Sequence, residues 1–216
     1  MGAKASTQTR EAILETAKHV LRRYGHDKMT VVDIARALGM SHANVYRFFC
    51  TKSDILDAII EQWLTKLDAF VEAIARRRVP AAARLEAVVL ELHRKRKQKL
   101  RDDAEVFETY RRVVEVRPDA AARRREKIVT VFQKLIEEGV RDGEFGPVNA
   151  RKAAVALKDA TALFLHPFLI PTTLHEESEA RARQVVRLIL AGFSTGQRPA
   201  SERGPAARRR KSARPA

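Results

Sequence analysis

The sequence predicts an all-α fold in two parts, a three-helix N-terminal head and a larger helical body. Two observations carry this. Apolar residues recur at three- and four-residue intervals almost throughout, and no stretch alternates with the period of two that marks a half-buried strand. Glycine and proline interrupt that rhythm where helices should end, at Gly25, Gly39, Pro80, Pro118, Gly139, Pro167 and Pro171. Hydrophobic residues make up 45% of the 216 positions, enough to build a packed core.

Residues 1–8 read as a flexible lead-in. The first helix should begin near Thr7 or Thr9 and run to about Arg23, with Ile13, Leu14, Ala17, Val20, Leu21 and Tyr24 on one stripe, and Gly25 should end it. Thr30 followed by Asp33 has capping-box spacing and opens a second helix to Leu38 that buries Ile34, Ala35 and Leu38. Gly39 permits a left-handed turn, and Ser41 can cap a third helix. That third helix places Ser41, His42, Asn44, Tyr46 and Arg47 on one side and only Val45, Phe48 and Phe49 on the other. It is too polar to be core. Two short helices joined by a glycine turn have the spacing of a helix-turn-helix, which puts its second helix in a DNA major groove, and the head spans residues 9–53.

The body covers residues 54–196. A long helix from Ser53 carries Ile55, Ile59, Trp63, Leu67, Phe70 and Ile74 on a single face, and a second amphipathic stretch follows with Leu85, Val88, Val89, Leu92 and Leu100. Two more helices are marked by Val106, Tyr110, Val113 and Val114, then by Ile128, Phe132, Leu135, Ile136 and Val140. Turns fill Gly139 to Pro147. Asn149 should start an alanine-rich helix through Leu165, and Thr173 with Glu176 should cap the last helix. Residues 197–216 are Arg, Pro, Ala, Ser and Gly with almost nothing to bury, which predicts a disordered basic tail.

The net charge of +15 calls for an anionic partner, and its placement is informative. Residues 1–52 hold nine Lys/Arg against four Asp/Glu, residues 197–216 hold seven against one, and the long middle is nearly balanced. The arg-rich run from Arg94 to Lys99 and the triplet Arg123, Arg124 and Arg125 read as solvated helix faces, whereas Arg208 to Lys211 in the tail can reach DNA outside any specific site. One cysteine, Cys50, excludes an internal disulfide and a thiolate cluster, and the six histidines show no metal-ligand spacing, so no metal or other cofactor is expected. No phosphate-cradling glycine loop, nucleophile elbow or carboxylate pair points to an enzyme. No apolar run is long enough for a membrane span, and a cytoplasmic location is expected. A sequence-specific regulator and a basic architectural DNA-binding protein both fit these facts.

Ile13-Leu14-x-x-Ala17, Gly25, Thr30-Val-Val-Asp-Ile-Ala, Leu38-Gly-Met-Ser, Val45-Tyr46-x-x-Phe49 and Lys52-Ser-Asp-Ile-Leu stand in an order and spacing that resemble the TetR family of bacterial transcriptional regulators. The resemblance implies a homodimer whose heads bind a palindromic operator on double-stranded DNA, usually as a repressor released by a small molecule. The family usually has Gly or Pro where this chain has Ala43, and often Pro or a polar residue at Cys50. His42, Asn44 and Arg47 are then candidates for base-edge contacts, and Ala43 for a thymine methyl. Thr30, Ser41, Tyr46 and Lys52 are candidates for phosphate contacts. An effector pocket, for an apolar or aromatic molecule, would draw on Phe70, Ile74, Val89, Leu92, Phe107, Tyr110, Phe132, Ile136 and Phe164, with His93 and His166 as polar handles. By the same similarity the last two long helices would form the dimer interface through Ala153, Ala156, Leu157, Ala160, Val185, Leu188, Ile189 and Phe193.

Overall fold

Helix α1 (Gly2–Lys28) lies across the head and is the first of ten α-helices in a computed structural model that describes residues 2–194, among which no strand occurs. The expected basic tail at 197–216 lies outside the described residues. Helix α1 starts earlier than Thr7, within the segment read as a flexible lead-in. Ala3, Lys4 and Ala5 favour helix, and extending an existing helix adds a hydrogen bond per residue without a new nucleation cost. Gly25 breaks the helical dihedrals with φ 77° and ψ 169°, and one further turn reaches Lys28.

Helices α2 (Val31–Ala37) and α3 (His42–Tyr46) complete the head. Thr30 and Asp33 form the capping box, each side chain accepting from the other's backbone N–H, and Gly39 makes the turn at φ 64°. Ile13, Leu14, Ala17, Leu21, Ile34 and Val45 are fully closed in, so the three helices share one core. Tyr24 departs from the expected stripe: it is exposed, with the Arg23 guanidinium 5.2 Å from its ring.

The body comprises α4 (Lys52–Ala75), α5 (Ala81–Asp102), α6 (Ala104–Val116), α7 (Pro118–Arg141), α8 (Ala150–Ala160), α9 (Ala162–Leu165) and α10 (Ser178–Ser194), with a 3-10 turn at Ile170–Thr173. Helix α5 is its spine and packs on α4, α6, α7, α9 and α10. Leu85, Val88, Val89 and Leu92 lose all exposure there. Asn149 caps α8 as expected, accepting from the Lys152 N–H at 2.9 Å.

Two expectations fail for local reasons. The helix from Asn149 does not continue to Leu165, because the buried Thr161 hydroxyl donates back to the Leu157 carbonyl at 2.7 Å and the chain turns there. Thr173 does not cap the last helix. Its hydroxyl donates to Ile170 at 2.8 Å inside the 3-10 turn that Pro171 favours, and α10 begins five residues later at Ser178.

Candidate nucleic-acid interface

Helix α3 is held by its apolar side and presents its polar side. Val45 is fully buried, Phe49 nearly so beneath the Arg10 guanidinium at 4.9 Å, and Phe48 half-buried. His42, Ala43, Tyr46 and Arg47 are exposed on the opposite side, and the His42 and Tyr46 rings meet edge-on at 6.3 Å. Asn44 is half-buried, with its amide nitrogen 3.8 Å from the Met40 sulfur. From Gly39 to Lys52 the chain contains no carboxylate, so nothing on this segment repels an anion.

The phosphate candidates divide. Ser41 caps α3, its Oγ accepting from the Asn44 N–H at 3.3 Å, and Thr30 caps α2 while its hydroxyl donates to Asp33 at 2.6 Å; both remain exposed. Lys52 donates its ammonium to the Asp27 carbonyl at 3.2 Å, because the unpaired carbonyls at the end of α1 form a negative pole beside it. Lys28 and Arg36, in the last turns of α1 and α2, are exposed on the same head.

The head is latched to the body through α6. The Arg22 guanidinium grips Asp103 with bonds of 3.0 and 2.7 Å, and Lys99 donates to the same carboxylate at 2.7 Å. Burial alone would raise the Asp103 carboxyl, but these two cations outweigh it and hold it below the ordinary range. Arg112 pairs with Asp27 at 2.6 Å, and His26 Nδ1 lies 3.3 Å from the Thr109 hydroxyl.

The residues expected to line a pocket are mostly sealed core. Ile74, Val89, Leu92, Phe107, Phe132 and Ile136 have no exposure, and Tyr110 and Phe164 almost none. Phe70 is half-buried with the Lys95 ammonium 5.0 Å from its ring, and His166 is exposed and stacked on Phe168. Helical periodicity marks an inward face, yet a packed core and a pocket wall share that periodicity. A cleft of about 880 Å³ opens elsewhere, between α1, α4, α6 and α7, with Arg10, Glu15, Asp57, Arg117 and Lys127 on its walls.

His93 is a structural pin rather than a polar handle. Its Nδ1–H donates to the Phe164 carbonyl at 3.1 Å, which leaves Nε2 to accept from the Ser178 hydroxyl at 3.1 Å, and Ser178 in turn accepts from Lys97 at 2.8 Å. This closed chain requires neutral imidazole, and burial pushes the ring below its ordinary value. Half-buried His26 shifts the same way, chiefly by burial. A histidine whose folded value lies below its unfolded value of about 6.5 binds its proton more readily when unfolded, so stability is full above that pH and declines beneath it. Thermal melting should therefore fall between about pH 7 and 5, and His93→Gln should flatten the decline; an equal slope in both proteins would remove His93 as its source.

Two of the expected dimer residues serve their own chain. Leu157 is fully buried, and Phe193 packs edge-on against Phe145 at 5.8 Å. Ala156, Ala160 and Leu188 are exposed on α8 and α10, with Ala153, Val185 and Ile189 half-buried between them and the core.

Residues 13–59 match the family described as bacterial regulatory proteins, tetR family, and residues 81–186 match the tetracyclin repressor-like C-terminal domain. The uncharacterized HTH-type transcriptional regulator YfiR of Bacillus subtilis (strain 168) is 29% identical over 148 residues, 63% of this chain and 68% of that protein. The fold is shared with solved structures. A TetR-family transcriptional regulator from Pectobacterium atrosepticum is 20% identical with a TM-score of 0.66 over 92% of this chain and 100% of that one. A TetR/AcrR-family regulator from Thermobifida fusca is 22% identical with a TM-score of 0.65, over 86% and 98%. No described helix is long and apolar enough to cross a membrane, and no described cluster of His, Cys, Asp or Glu could hold a metal ion.

Proposed function

Because the chain belongs to the TetR family of DNA-binding transcriptional regulators, we propose that two copies of it repress transcription from a pseudo-palindromic operator and that a small-molecule effector bound in the body releases them. The observation that carries this reading is α3: a short, capped, carboxylate-free helix with His42, Ala43, Tyr46 and Arg47 turned outward. A helix of this kind fits a major groove about 12 Å wide. His42, Asn44 and Arg47 would meet base edges and Ala43 a thymine methyl. Thr30, Ser41, Tyr46 and Lys52, joined by Lys28 and Arg36, would meet phosphates.

Pairing through the outer faces of α8 and α10 would set two α3 helices about 34–36 Å apart, one turn of duplex. Effector binding would act through the seam. Arg22, Asp27 and His26 of the head engage Asp103, Arg112 and Thr109 of the body, so a shift of α6 carries the head with it. Coupling of this kind typically amounts to about 1–3 kcal/mol. Seated on an undistorted duplex, a wrongly spaced pair of heads would lose one of its two half-site contacts.

The test compares single substitutions on DNA recovered by the protein from a random pool. Tyr46→Phe should weaken binding evenly across sequences, while Asn44→Ala should relax choice at particular base pairs by about 1–3 kcal/mol. Affinity and sequence preference unchanged in both would remove α3 from the interface.

A further inference from the structure

Arg96 and Arg124 sit in basic runs that read as solvated, yet the structure buries Arg96 and leaves the Arg124 side chain only 11% exposed. Arg96 is 3% exposed, and its Nε and Nη1 have no hydrogen-bond partner; the Nε and Nη2 of Arg124 are in the same condition. Arg84 and Arg124 each keep an unpartnered Nε but have a carboxylate, Glu138 for Arg84 and Asp68 for Arg124, and Asp103 has its two cations; Arg96 has no acid of its own. A buried guanidinium without a counter-charge is costly, and an anion would supply what is missing.

The groups around Arg96 sharpen the point. Tyr110 on α6, Asp68 on α4, Arg124 on α7 and Lys158 on α8 all act on it or are acted on by it. Asp68 is the carboxylate that acts on Arg96, and it is already engaged by Arg124 and Lys127; Asp159, which acts on Lys158, is exposed and engaged by Arg125. Three cations from three helices therefore act on one another beside acids that are already committed. Burial beside Arg96 also pushes the Lys158 ammonium down to about 8, and the same two cations act on His166 in the same direction.

We propose that the effector is a small oxyanion-bearing molecule, a carboxylate or a phosphate, whose charged group seats against Arg96, Arg124 and Lys158 with the Tyr110 hydroxyl beside it. This rests on the reading of the body as an effector-binding module and adds a charged group to the apolar or aromatic effector expected from the sequence. The free Nε and Nη2 of Arg124 share one edge of its guanidinium and match a planar carboxylate or a phosphate by paired hydrogen bonds, while Nε and Nη1 of Arg96 offer single donors. Closing of α5, α7 and α8 onto the anion would also pull on α6, which carries the latch to the head.

Thermal melting of the full chain tests this with sodium benzoate and inorganic phosphate as probes against chloride at matched ionic strength. One or both probes should raise the melting temperature of the wild type by at least about 2 °C, and the probe that acts distinguishes carboxylate from phosphate. Arg96→Met should lose that gain and, freed of an uncompensated charge, should melt about 2–4 °C higher than wild type in chloride. Lys158→Met should lose the gain as well, which keeps the test decisive if Arg96→Met does not fold. No gain in the wild type, or a gain that persists in the variants, overturns the proposal. Recovery of bound DNA from a random pool by the same wild-type protein separates the two levels: without it the regulator reading falls, and with it but without an anion effect only this inference does.

Discussion

Replacing Leu188 with arginine is expected to yield a monomer and to weaken operator binding by about 10²–10⁴-fold. Leu188 is 68% exposed on the single chain, on a face of α10 shared with exposed Ala180, Gln184 and Ala191. An exposed leucine in isolation is ordinary; one flanked by Ala180 and Ala191 on the same helix would let a second copy approach closely in the proposed pairing, in which exposed Ala156 and Ala160 of α8 would also take part. In a two-fold pairing the residue counts twice, so each burial of about 1.5–3 kcal/mol is lost in duplicate and two guanidinium groups are brought together. A monomer has only one head to offer, and the second half-site contact is no longer intramolecular. Light scattering after size separation and a DNA titration measure the two effects. Because Leu188 contributes little to its own chain's core, helix content should be unchanged. A variant that stays dimeric would move the interface off this face.

The second large effect is expected at Asp103. Asp103→Asn should destabilise the protein by about 2–3 kcal/mol, since Lys99 and Arg22 lose the carboxylate they share, and the half-exposed Arg22 can recover part of the loss in water. The Asp103 side chain caps neither α5 nor α6, so the substitution reads the latch rather than a helix end. The pH dependence carries a sign. The folded carboxyl titrates below its unfolded value of about 3.9, so its contribution is full above that pH and is lost as pH falls through the lower folded value. Denaturant melts of wild type and variant should differ near neutrality and converge below about pH 3. A constant difference across that range would mean the carboxylate's charge is not what stabilises the seam. Loosening the latch should also blunt any response of DNA binding to an effector.

Much of the head was legible because its signals are local. Thr30 with Asp33, Ser41 before His42, and Gly39 at the turn are recognisable within four residues, and the caps occur as the spacing implies. The outward face of α3 was legible for the same reason, as a helix with Val45 and Phe49 inside has only one way to orient His42 and Arg47. What distant segments do to one another was not legible. Nothing near Arg22 points to a carboxylate 81 residues away, and nothing near His93 points to Ser178. The bond from Lys52 to the end of α1 is likewise a tertiary fact. The run from Arg94 to Lys99 is the sharpest case: its composition reads as solvated, but a helix that is the spine of a body must turn one residue in every turn inward, and Arg96 is that residue.

Paired α3 helices are proposed to read two half-sites, and selection of bound duplexes from random DNA followed by footprinting measures this. One inverted repeat should be enriched and protected in two successive major grooves whose centres lie about 34–36 Å apart on one face. Even protection without a preferred sequence, or enrichment of a single unpaired half-site, would contradict the proposal.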